Sequence, residues 1–288
     1  MRISTWNINS IRSRLPRVLD FLCRSNVDVL AMQEIKCRVS QFPVEAFLAS
    51  GYQVFVNGLN QWNGVAIAVR ADLDAQVLGT EFSGKIPQPP FGKPPVVEPR
   101  ALGVRVAGIE CWSLYVPNGR EIDNPHFAYK LAWLEALRSH AHTLLAANPT
   151  ALGLFMGDFN IAPCDEDVWD IQEFVGATHV SVPEREAFAR LLQSDTLAQA
   201  VSLDETAISR IGTDSTNCGG LVEVTRQFAP GWTYWDYQKA RWRRNQGMKI
   251  DFALATPNLA DKITGAFIGR EERDGEKPSD HVPVVLEL

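Results

Sequence analysis

Long apolar runs are missing from this chain. Nowhere do its 288 residues hold the roughly 18 consecutive apolar positions of a bilayer-spanning helix. Arg2 leads directly into the strand-like Ile3-Ser4-Thr5-Trp6, not into the apolar core of a secretory leader. Cysteine is also scarce. The five residues Cys23, Cys37, Cys111, Cys164 and Cys218 are odd in number, scattered, and without CxxC or Cys/His metal spacing. That excludes a disulfide framework and a zinc finger, and it predicts reduced thiols in a cytoplasmic protein. Internal repeats and low-complexity tails are absent too. Nor is there an excess of positive charge: the net charge is −6. The cations present are instead concentrated, with Arg12, Arg14 and Arg17 early and Lys239, Arg241, Arg243, Arg244 and Lys249 late. A basic rim around an acidic metal-binding floor suits a phosphate-backbone substrate, although each of these residues taken singly is equally well a solvated surface charge.

What is present is an apolar fraction of 45%, ample for a sizeable core. Short strand-like runs are expected at 27–32, 64–69, 102–106, 110–116, 152–156, 250–255, 266–268 and 282–288. Helices are expected from Pro16 to Arg24, with Pro16 in the first turn, and over 127–145, 165–174 and 184–193. The proline-rich stretch 85–99 reads as an extended loop, and 203–220 as a surface insertion.

Polar residues recur just after the apolar strands, where open α/β folds build their sites. The blocks are Trp6-Asn7, Gln33-Glu34, Tyr115-Val116-Pro117-Asn118, Gly157-Asp158-Phe159-Asn160, Lys249-Ile250-Asp251 and Ser279-Asp280-His281. Spread from one end to the other, they predict a single site assembled from the whole chain, hence one domain over 1–288. Glu34 follows a buried run and needs a cation or a hydrogen-bond network. Hard oxygen donors without clustered Cys or His favour Mg²⁺, with Mn²⁺ as a substitute, and Asn7 stands in a matching position to hold the ion or its waters. Asp158 and Asn160, two residues apart, point the same way on a strand: Asp158 is expected to orient or deprotonate water, and Asn160 to donate to phosphate. The alternative is an ordinary Asp/Asn turn. Asp280-His281 with Asp251 reads as an imidazole oriented by a carboxylate, and Tyr115 as a donor to a phosphate oxygen or a satisfied core tyrosine. The aromatics from Trp232 to Tyr237, followed by basic residues, suit stacking and phosphate contact, or simple packing. His126, His140, His142 and His179 carry no sequence signal above that of surface residues.

Together, Thr5-Trp6-Asn7-Ile8-Asn9, Gln33-Glu34-Ile35-Lys36 and the four later blocks resemble the endonuclease/exonuclease/phosphatase superfamily in order and spacing, and its bacterial exonuclease III branch most. The resemblance covers nearly the whole chain. It implies a four-layered α/β sandwich, two mixed β-sheets face to face with helices outside. It also implies an AP endonuclease that cuts duplex DNA 5′ to abasic sites and trims blocked 3′ ends; nothing in the sequence requires an oligomer, and a monomer is expected. Carried over residue by residue, Tyr115, Asp158, Asn160, Asp251 and His281 are catalytic. Asn7, Glu34, Asp158, Asn160, Asp280 and His281 surround the metal. Asn118, Arg120, Trp235, Arg243, Arg244 and Met248 are expected to touch the substrate, with Trp235, Met248 and Ile250 flanking the sugar pocket. Two other readings remain open: a relative acting on inositol phosphates or phospholipids, and a non-catalytic DNA-binding relative. The Trp235 block and Arg241 to Arg244 count against the first, and the filled site positions against the second.

Overall fold

A computed structural model describes residues 1–82, 89, 96–192, 201–204 and 220–288. The stretches 85–99 and 203–220, Cys218 and residue 193 lie wholly or in part outside them; the helix expected over 184–193 ends earlier, at Ala189.

Twelve strands among the described residues form two mixed six-stranded sheets. The first is built from β1 (Arg2–Asn7), β2 (Val29–Gln33), β3 (Tyr52–Asn57), β4 (Val65–Arg70), β11 (Gly265–Ile268) and β12 (Val284–Glu287), in the order β11-β12-β1-β2-β4-β3. The second holds β5 (Ala75–Gly79), β6 (Ala101–Val106), β7 (Ile109–Tyr115), β8 (Gly153–Asp158), β9 (Val222–Glu223) and β10 (Asp251–Ala255), in the order β5-β6-β7-β8-β10-β9. The two-residue alternation of strand side chains decides the layering. Val29 and Ala31 of β2 enter the core between the sheets, against Val104, Cys111 and Met156. Leu30 and Met32, on the opposite face, meet Phe21 and Leu22 of helix α1 (Ile11–Ser25) and Phe47 of α2 (Val44–Ala49). On the far side of the second sheet, Trp112, Leu114 and Phe155 pack against Trp133, Leu134 and Leu137 of α3 (Pro125–Ala147) and Phe188 of α4 (Val182–Ala189). A last short helix, α5 (Pro257–Ala260), follows β10. The four layers implied by the resemblance are those observed.

Two expectations for helices are corrected. Pro16 lies inside α1, which starts at Ile11, so it is not a first-turn residue. The segment expected as one helix over 165–174 is two 3₁₀ turns, Asp165–Asp167 and Ile171–Phe174. There the Asp167 carboxylate takes the Cys164 amide at 2.8 Å, and the Trp169 amide bonds Gly247 at 3.1 Å in place of a helical carbonyl. Local side-chain and cross-chain bonds of this kind compete with helix formation. The strands β3, β5 and β9 and the helices α2 and α5 had no expectation from sequence.

Strand direction then places the site. β1 runs parallel to β2 with Asn7 opposite Gln33, and β7 parallel to β8 with Tyr115 opposite Asp158. β10 and β12 run antiparallel to β8 and β1, with Asp251 opposite Asp158. The ends of the four parallel-paired strands and the beginnings of the two antiparallel ones therefore share one edge of the sandwich. Beneath that edge Gln33 bridges the sheets, donating to Thr5 at 3.1 Å and to Ser113 at 3.0 Å. Gly157 is required where β8 meets β7: a Cβ there would stand 1.9 Å from the Leu114 carbonyl oxygen.

Candidate active site

At this edge a cleft of about 340 Å³ opens, with Glu34, Tyr115, Asn118, Asp158, Asn160, Asp280 and His281 along one part of its wall. The Asn7 amide nitrogen lies between two carboxylates, donating to Glu34 at 2.9 Å and Asp158 at 3.0 Å. Glu34 also pairs with Lys36 at 2.6 Å, and Lys36 donates to Asn9 at 2.5 Å. Asn9 in turn donates to Asp280 at 2.9 Å. His281 Nδ1 sits 2.8 Å from Asp251, which also accepts from the Thr233 hydroxyl at 2.6 Å, and its Nε2 faces Asp158 at 3.8 Å. Asn9, Glu34, Lys36 and Asn160 all adopt left-handed backbone with positive φ, so local strain gathers at this site, as is usual for functional centres.

Burial and neighbouring charge set the protonation states. Burial pushes the Asp158 carboxyl up to about 7; the His281 charge opposes this, and Asp251 and Glu34 add to it. Burial alone would depress His281, but the carboxylates of Asp251 and Asp158 outweigh it and hold the imidazolium to about 10. Burial likewise raises Glu34, and Lys36 with the Asn7 hydrogen bond brings it below its ordinary value. Tyr115, buried and bonded to Glu34, is held well above the usual phenol range and stays a donor. Arg100 stacks 4.6 Å over its ring.

Ligand atoms of Glu34, Asp158 and His281 lie within 4.8 Å of one another. Two carboxylates at one pocket, one pushed toward protonation chiefly by burial, fit a hard divalent cation that would offset their charge. His281, committed to Asp251 and held as a cation, is better suited to a phosphate oxygen than to a metal. Asn7 is expected as a metal ligand from sequence, yet its oxygen accepts the Asn9 amide at 3.1 Å and its nitrogen faces the carboxylates. Two carboxylate oxygens facing each other draw a donor between them. Asn160 also differs from expectation. Its amide nitrogen donates to the Val116 carbonyl at 3.0 Å, while its oxygen meets Asn118 Nδ2 at 3.0 Å and His179 Nε2 at 3.2 Å.

The other part of the wall comes from Trp169, Phe174, His179, Tyr234, Arg241 and Met248. His179 was missed from sequence, where nothing marks it. Burial and the nearby Lys130 push it down to about 4, so it is neutral at pH 7. Behind it, Lys130 and Glu184 form a fully buried ion pair. Lys130 donates to the carbonyls of Asn160 at 2.6 Å and Asn118 at 3.2 Å, and Glu184 accepts from the His179 amide at 2.9 Å and the Thr178 hydroxyl at 2.8 Å. Three connections that build this wall are thus anchored on one pair.

Trp235 does not reach the cleft. It is 0% exposed, packed on Gly247 and 4.8 Å from the Trp242 ring. Alternation explains the error: Tyr234 faces the cleft 4.8 Å from the His281 ring, so its neighbour must point away. Arg120, Arg243 and Arg244 are exposed and absent from the lining, in which Arg241 is the arginine. Lys249 is buried under the Phe252 ring rather than on a basic rim. Arg14 and Arg17 tie α1 to the segment 272–278, whereas Arg12 joins Lys36, Arg38 and the 71%-exposed Trp62 in a separate cationic groove, whose Lys36 pairs with Glu34 of the cleft wall.

A two-sheet sandwich carrying buried carboxylates, amides and an imidazolium at the shared strand edge defines a phosphoester hydrolase. The sequence model of the Endonuclease/Exonuclease/phosphatase family matches residues 4–281, and the chain belongs to that family. It is similar to exodeoxyribonuclease III of Haemophilus influenzae, 25% identical over 296 residues that cover 100% of both chains. It is also similar to an exodeoxyribonuclease of Bacillus subtilis, 24% identical over 297 residues covering 99% of this chain and 98% of that one. An AP endonuclease from Archaeoglobus fulgidus superposes with a TM-score of 0.80 at 30% identity, over 100% of this chain and 99% of that one. A 3′ phosphatase from Neisseria bound to a product DNA hairpin gives 0.80 at 29% identity, with the same coverage.

Proposed function

We propose that this protein is a DNA-repair phosphodiesterase. On this reading it cleaves duplex DNA 5′ to abasic sites and removes nucleotides and phosphate groups from 3′ ends, using Mg²⁺, with Mn²⁺ as a substitute. The observation that carries the proposal is the convergence of Asn7, Glu34, Asp158 and His281, from four distant stretches of chain, around one cleft. The full-length likeness to exodeoxyribonucleases and an AP endonuclease supports DNA as the substrate, as does the groove formed by Arg12, Lys36, Arg38 and Trp62. We take the chain as one domain, because the site draws on both sheets, and as a monomer in the cytoplasm, consistent with the free thiols of Cys23, Cys37, Cys111 and Cys164.

Each side chain then has a task. Asp158, poised near neutrality, takes a proton from the attacking water. His281 and the Tyr115 phenol, both donors at pH 7, face the charge that develops on the non-bridging oxygens. Asp251 fixes the His281 ring. Glu34, with Asp158 and Asp280 beside it, would hold the divalent cation, which supplies charge stabilisation at the departing 3′ oxygen.

The deciding experiment is incubation with a duplex carrying one abasic analogue, with Mg²⁺ and with EDTA. Incision 5′ to the analogue only with metal is expected. Phosphate release from inositol phosphates alone, or DNA binding without cleavage under both conditions, would overturn the proposal.

A further inference from the structure

Among the described residues, Arg241 is the only lysine or arginine side chain lining the cleft. Its guanidinium lies 4.7 Å from the centre of the Trp169 ring and donates to the Gln246 side-chain oxygen at 2.9 Å. Both supports are fixed. The Trp169 amide bonds Gly247 at 3.1 Å and its ring meets Phe174 edge-on, while the Gln246 amide bonds the Arg241 carbonyl at 2.9 Å. Neither support neutralises the charge. Arg17 and Arg24 are paired with Glu272, Arg185 with Asp165, and Arg226 with Asp167, so the contrast within one molecule is plain. A planar cation held in place, unpaired and facing a cleft, is built to receive an anion.

The geometry points to Arg241 as the binding residue for a second phosphate, the one next to the scissile phosphate on the same strand, with Trp169 as its positioning residue. This rests on the nuclease reading and sharpens its substrate to a strand with at least two consecutive phosphates. The scissile phosphate belongs beside Asp158 and His281. The lining also holds an apolar set that links the two ends: Tyr234 lies against the His281 ring and is bridged to Met248, and Phe174 lies against Trp169, over which Arg241 stacks. An intervening sugar is the part of a DNA strand that suits such a surface, and the backbone then presents its next anion.

The test compares wild type, Arg241→Gln, Arg241→Lys and Trp169→Leu on two ligands. Equilibrium binding to a 3′-recessed duplex is read by fluorescence anisotropy in EDTA, so no turnover is needed. Hydrolysis with Mg²⁺ is then followed on that duplex and on thymidine 5′-(p-nitrophenyl) phosphate, which has a single phosphorus. Arg241→Gln is expected to weaken duplex binding by about tenfold and to make its log–log salt dependence shallower by about 0.9. The duplex KM should rise in parallel with kcat little changed, and hydrolysis of the one-phosphorus ester should be unaltered. Arg241→Lys should recover part of the loss. Trp169→Leu, which keeps the charge but frees it, should fall between. Unchanged duplex affinity and salt slope in Arg241→Gln, or an equal loss on the one-phosphorus ester, would overturn the assignment. Failure of wild type to cleave DNA with metal overturns the nuclease reading instead, and the binding comparison still decides the role of Arg241.

Discussion

The floor of the cleft, made by Asn7, Glu34, Asp158 and His281, stands on or beside strand ends whose register is set by two sheets. Its rim, made by Trp169, His179, Arg241 and Met248, hangs from connections between strands and leans on the Lys130–Glu184 pair and on Trp169–Arg241 stacking. The floor is charged, buried and coupled: a carboxyl near neutrality sits beside an imidazolium. The rim mixes aromatic rings, a neutral imidazole, a thioether and one unpaired guanidinium, and among the described residues its only buried charges are the Lys130–Glu184 pair behind it. Floor substitutions should therefore act on turnover with the fold intact, and rim substitutions on affinity and preference.

The largest expected break is at the floor. His281→Ala and Asp158→Asn should each lower turnover by about 10³-fold, with near-ultraviolet circular dichroism unchanged. Near-normal rates on an abasic duplex would remove that residue from the chemistry. Next comes the anchor of the rim. Lys130→Met leaves Glu184 charged and buried and should cost about 3–5 kcal/mol in urea unfolding. The double variant Lys130→Met/Glu184→Leu should recover most of that stability, yet release the Asn118, Asn160 and His179 segments and raise KM. A double variant no more stable than the single one would show that the pair is not acting as a unit.

Acid should loosen the rim through His179. His179 takes a proton near pH 6.5 when unfolded but only at about 4 in the fold, because burial and Lys130 disfavour its cation. Between those values the unfolded chain binds more protons, so stability falls as pH is lowered through that window and is fully present above it. Urea midpoints at pH 7.5 and 5 should therefore drop more in wild type than in His179→Gln, and equal drops would contradict the assignment. The smallest effect belongs to Arg243→Gln/Arg244→Gln. These side chains lie outside the cleft lining, so a shallower salt dependence of DNA binding is expected with kcat unchanged.

The floor was legible in the sequence for a physical reason. Glu34, Asp158 and His281 each stand at or near the margin of an apolar strand, and such runs reveal both where they end and which side chains share a face. The four layers followed from the same alternation once the family resemblance supplied the topology. The rim was legible only in part. His179 sits in a connection where no periodicity or composition singles it out, and it acquires its place through Glu184, a buried carboxylate of α4, the helix that follows. The aromatic block was recognised, but choosing Trp235 over Tyr234 needed the strand phase, which a short bridged segment does not announce. Arg241 was seen as one basic residue among several; only the stacking on Trp169, distant in sequence, separates it from Arg243 and Arg244.

β1 lies between β2 and β12, so strands far apart in sequence are hydrogen-bonded neighbours, with Arg2 opposite Glu287. The Trp6 indole donates to the His281 carbonyl at 3.0 Å, and the Ser279 hydroxyl to the Asn7 carbonyl at 2.7 Å. A chain cut short before residue 279 would carry Glu34 and Asp158 but neither His281 nor the strand that pairs with β1. Completion of the site thus waits on the docking of β12 beside β1, which makes competence a property of the assembled sheet and not of any one segment.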